Sequence, residues 1–100
     1  MSGEQRELLE RMVKDLSQMV PARITYEILD DSLKLSNGRP WSCGTVMDWM
    51  TPCQLAEWAL SYTQDFVADI CSQWWPMVGR KRLGYRIDCV YGRPELALFL

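Results

Sequence analysis

TPCQLAEWALSYTQDFVADICSQWWP, residues 51–76, is the stretch whose reading decides the fold. Thr51 stands where a helix cap accepts an amide hydrogen, Pro52 fills the first helical position, where no amide partner is needed, and Gln54 reaches back to the cap from three residues on. Leu55, Trp58, Ala59, Tyr62, Phe66, Ile70 and Trp74 then recur at spacings of three and four, widened by Val67 and Cys71, while Glu57, Ser61, Asp65, Asp69 and Ser72 line the other side. Pro76 ends the pattern. The spacing predicts a helix over 52–75, about 36 Å long at the usual rise per residue.

Upstream, Ser2 followed by Gln5 repeats the capping-box signature. Leu8, Leu9, Met12, Val13, Leu16, Met19 and Val20 make an apolar face opposite Glu7, Glu10, Arg11, Lys14 and Asp15, so a first helix is expected over 3–19, stopped by Pro21. From Arg23 the period falls to two. Ile24, Tyr26 and Ile28 share one side, Asp30-Asp31 makes a turn, and Leu33 and Leu35 alternate up to Asn37-Gly38. A β-hairpin over 23–36 is the expectation, with a second helix over 22–35 as the competing reading. Residues 39–50 are mixed, and their geometry stays open apart from a short helical turn carrying Val46, Met47, Trp49 and Met50.

Downstream, Gly79 permits a reversal. Leu83, Tyr85, Ile87, Cys89 and Tyr91 then alternate with Arg82, Gly84, Arg86, Asp88 and Val90 in a long strand broken by Gly92-Arg93-Pro94. The apolar run Leu96 to Leu100 reads as a last strand, buried on both faces or covered by a partner. The order α-β-β-α-β-β predicts one α+β domain over residues 1–100, an antiparallel sheet with both helices packed on one face.

Composition agrees: 48% of the 100 residues are hydrophobic and 24% charged, enough for one core and far from the mixture that stays disordered. No apolar run approaches the length of a signal peptide or a membrane span, so a soluble, cytoplasmic or otherwise intracellular protein is expected. Cysteines at 43, 53, 71 and 89 lack the close pairs that chelate zinc, and in a reducing compartment they read as thiols. Charge is uneven within a net of −2: residues 1–79 hold six Lys and Arg against eleven Asp and Glu, whereas residues 80–100 hold five against two.

Histidine is absent, which removes the commonest general base and metal ligand. Cys53, at the second position of the long helix, sits where backbone dipoles favour a thiolate, but no base partner is legible and an unreactive small residue is the simpler reading. Asp65 and Asp69, one turn apart, read as a solvated pair, and Asp30-Asp31 as a turn. No catalytic residue, metal or cofactor is expected.

Two surfaces remain. Five tryptophans exceed what a small core hides, and Trp, Met and Arg are enriched where proteins touch. A partner-binding surface is therefore expected from Trp75, Met77, Arg80, Lys81 and Arg82, with Trp41 or Trp49. Adjacent helical residues point about 100° apart, so either Trp74 is core and Trp75 projects to a partner, or Trp75 folds back over the loop at 76–79. The partner is another protein or a second copy forming a homodimer. The alternative is nucleic acid, with Arg80, Lys81, Arg82, Arg86 and Arg93 on phosphates and Tyr85 on a base.

Overall fold

The computed structural model describes residues 1–78 and 80–99. Gly79, expected to permit the reversal, and Leu100, the end of the apolar run, lie outside the described residues. The chain is an α+β domain: α1 (Gly3–Leu16), β1 (Ile24–Ile28), β2 (Ser32–Asn37), β3 (Trp41–Thr45), α2 (Pro52–Cys71), β4 (Met77–Val78), β5 (Lys81–Arg82), β6 (Gly84–Val90) and β7 (Arg93–Phe99).

Both capping boxes form. Ser2 Oγ accepts from the Gln5 amide at 3.1 Å while Gln5 Oε1 accepts from the Ser2 amide at 2.9 Å, and Thr51 and Gln54 repeat the exchange at 3.2 and 2.9 Å. Both helices end sooner than expected, at Leu16 and Cys71. The ends differ in kind: after Leu16 the chain tightens into a turn in which the Met19 amide donates to the Leu16 carbonyl at 2.9 Å ahead of Pro21, whereas α2 stops because Ser72 enters the left-handed region at φ 52°.

The hairpin reading of 23–36 holds, with Ile24 opposite Asn37 and Ile28 opposite Leu33. The open stretch contributes an additional strand, β3, antiparallel to β2. Its inward residues are small because aromatic rings of α2 lie against them: a Cβ built on Gly44 would stand 2.7 Å from the Trp58 ring, and the Tyr62 hydroxyl donates to Ser42 Oγ at 2.6 Å. The strands divide into this three-stranded sheet and two separate two-stranded ribbons, β4–β5 and β6–β7, rather than one sheet.

Helix α2 joins the three-stranded sheet to the β6–β7 ribbon, touching α1, β2, β6 and β7. Leu9, Leu33, Leu35, Leu55, Leu60 and Val67 are fully enclosed around it. Inside, Thr63 Oγ1 donates to the Ala59 carbonyl at 2.9 Å and receives the Tyr26 hydroxyl at 2.9 Å, so the two polar groups satisfy each other. Burial pushes the Tyr26 phenol up to about 12. Gln5 is buried as well, and its Nε2 donates to the carbonyls of Met47 and Met50 at 3.0 and 3.1 Å, clamping the segment that leads into α2.

Cys53 and Cys89, read from sequence as thiols, are joined in a disulfide between the first turn of α2 and β6. Cys43 and Cys71 are free. No helix among the described residues is long and apolar enough to cross a membrane.

Candidate interaction surface

The end of α2 rearranges the expected surface. Ser72 breaks the helical path, and beyond the exposed residues 72–74 the chain turns Trp75 inward to 4% exposure, its indole N–H donating to the Met19 carbonyl at 3.0 Å. Trp75 is a core residue that fastens the segment after α2 to the end of α1, not a partner anchor. Trp74 takes the outward place at 58% exposure, and Ile70, also expected in the core stripe, is partly exposed.

Met77 pairs with Arg82 across the β4–β5 ribbon, and the Arg82 guanidinium carbon lies 3.8 Å from the centroid of the Trp74 ring. Arg80 and Lys81 are exposed beside them. Asn37 Nδ2 donates to Cys71 Sγ at 3.5 Å, which draws the β2–β3 turn to the same end of α2. Trp41 stands there, opposite Ser36, with Lys34 Nζ 5.0 Å from its ring centroid. Trp49, 70% exposed, precedes the first turn of α2 and so lies roughly a helix length, about 30 Å, from this end.

Of the residues grouped for nucleic acid, Arg80, Lys81 and Arg82 lie together, and Arg86, Arg93 and Tyr85 are engaged elsewhere. Arg86 Nε is paired with Asp88 at 3.0 Å, and Arg93 lies at the far end of the β6–β7 hairpin beside α1. Tyr85 is half-buried, its ring 6.5 Å from that of Trp75 and its hydroxyl donating to Gln64 Oε1 at 2.5 Å, so it is already engaged within the domain.

Cys53 has no thiolate to offer while it is bonded to Cys89. Asp65 and Asp69 lie on the exposed side of α2, and among the described residues no group of three metal-ligating side chains gathers. Tyr62 is also displaced from its ordinary value: burial raises its phenol, and the Ser42 hydrogen bond lowers it by less.

The strand β7 is also differently placed from its expectation. It is neither buried on both faces nor part of a larger sheet: Leu96, Leu98 and Phe99 remain 38%, 40% and 49% exposed, and Tyr91, read as a strand residue, sits fully exposed in the turn. Alternation could not reveal this. It records which residues share a side, not what covers that side.

No family model, no curated protein and no solved structure matches this chain.

Proposed function

We propose that this chain is a small protein-binding module, an adaptor, regulator or inhibitor of another protein with no chemistry of its own. The observation that carries the reading is the exposed Trp74 ring held against the Arg82 guanidinium beside Met77. A cation stacked on an indole fixes both side chains in advance, so less freedom is lost when a partner closes over them. Tryptophan, arginine and methionine are also the residues that dominate contact energies between proteins. The division of the basic side chains favours a protein over a nucleic acid as the partner.

Self-association is the simplest form of such binding, since two-fold dimers are the commonest oligomers. The disulfide supports action in an oxidising compartment, where such bonds persist, over the cytoplasm.

The test compares Trp74→Ala with Trp75→Ala. Trp74→Ala should leave the thermal melt nearly unchanged while abolishing capture of a partner, or the concentration-dependent mass seen by sedimentation. Trp75→Ala should cost about 3–5 kcal/mol of stability, as emptying a core site does. Unaltered association in a folded Trp74→Ala chain would sink the reading.

A further inference from the structure

A groove of about 650 Å³ runs between α1 and the far end of the β6–β7 hairpin. It is a separate surface from the Trp74 end. Leu8, Met12, Ala56 and Ile87 give it an apolar lining, while Arg93 to Leu96 of β7 form the wall opposite α1.

Three properties of the groove point to one kind of occupant. The first is charge: Glu4, Glu7 and Asp15 of α1 and Glu95 of β7 line it against only Arg11 and Arg93, and among the described residues none of these carboxylates is held in an ion pair. A cationic segment is therefore favoured. The second is the backbone. Among the described residues β7 is hydrogen-bonded to β6 alone, so its other edge carries main-chain acceptors and, except at Pro94, which has no amide hydrogen, donors that an incoming strand satisfies. The third is the lining itself, which rewards an apolar side chain at every second position of an extended segment.

We infer that this groove binds an extended segment of a partner protein in which apolar residues alternate with Lys or Arg, added to the sheet as a third strand beside β7. Side chains on one side of that strand enter the apolar lining, and those on the other side or at its margins meet the carboxylates. Main-chain bonds supply affinity without sequence preference, whereas the alternation and the positive charge select the partner.

The probe is a fluorescent synthetic peptide of about six residues, the length of an ordinary strand, alternating Val and Lys. Its companions carry Glu in place of Lys, or N-methyl groups on alternate backbone amides. Fluorescence anisotropy with the intact, disulfide-bonded chain should show binding of the Lys peptide that weakens with salt, and none of either companion.

Glu7→Lys, on the exposed side of α1, should weaken binding about tenfold, because it replaces an attraction by a repulsion. Its melt should be unchanged. No binding of the Lys peptide, equal binding of the Glu or N-methyl peptide, or full affinity in Glu7→Lys each overturns the inference. A mass that doubles with concentration while the peptide is excluded assigns the groove to a second copy and overturns it too. Trp74→Ala should bind the peptide normally, so failure of this groove and failure of the Trp74 surface are read separately.

Discussion

Residues 1–76 and residues 77–99 are held together by different means. In the first region leucines from two helices and a sheet are enclosed, and the inward polar groups pair with one another, as Tyr26 does with Thr63 and Gln5 with the 47–50 segment. In the second, no described side chain is buried. The hairpin is held to α2 by half-buried Tyr85 and Ile87, one hydroxyl on Gln64 and the disulfide to Cys53. A two-stranded ribbon is marginal alone in water, so a covalent link matters more there than in a region with its own core.

The sharpest way to break this comparison is to remove that link. With Cys53→Ser and Cys89→Ser together, loop-closure entropy over a separation of 36 residues puts the loss at up to about 4 kcal/mol. Native-state hydrogen exchange should show the loss concentrated at Arg86 to Asp88, with Leu33 and Leu35 still protected. Equal loss in both regions would mean that they unfold as one unit and that the distinction is false.

An alkaline titration addresses the first region. The Tyr26 phenol is raised from 10.0 to about 12 in the folded chain by burial. Below pH 10 both folded and unfolded chains hold the proton, and the full stability is present. Between about pH 10 and 12 the unfolded chain releases it first, so stability should fall by up to about 1.4 kcal/mol per pH unit. Denaturant melts across that range check the slope, and Tyr26→Phe should make it shallower, leaving the part owed to Tyr62, whose phenol burial also raises. An unchanged slope in Tyr26→Phe would assign all of it to other groups.

The smallest effect belongs to the hairpin turn. Tyr91 and Gly92 both have positive φ, 51° and 75°, as the tight turns matched to strand twist require. Asn tolerates that conformation better than Tyr, so Tyr91→Asn should stabilise the hairpin by about 0.5–1 kcal/mol. Exchange at β6 and β7 should slow while the helices are unaffected. A gain shared by Leu33 and Leu35 would again argue for one cooperative unit.

The helix starts were legible because their causes are local: Ser2 with Gln5, and Thr51 with Pro52 and Gln54, lie within four residues of one another. Their ends were misplaced because the chain leaves the helical path ahead of each proline, through a tightened turn after Leu16 and a left-handed Ser72, and apolar spacing signals neither. β3 escaped reading for a different reason. Ser42 and Gly44 carry none of the bulk that marks a strand, and their smallness makes sense only once Trp58 and Tyr62 are seen against them.

Of the expected contact residues, Met77, Arg80, Lys81 and Arg82 do lie together beside an exposed indole, and Trp41 lies at the same end. Trp74 is exposed and Trp75 enclosed, because α2 ends at Cys71 and the 100° step between helical neighbours no longer applies beyond the left-handed Ser72.

By itself the sequence determined the class of the fold, the order of its main helices and hairpins, and the faces that α1, β1 and β2 turn inward. Periodicity and capping are properties of neighbours, and neighbours are what a sequence records. Only the tertiary structure decided which cysteines meet, which tryptophan is enclosed, that the strands form separate sheets, and that α1 and β7 leave a groove between them. Each of those depends on residues far apart in the chain occupying the same space.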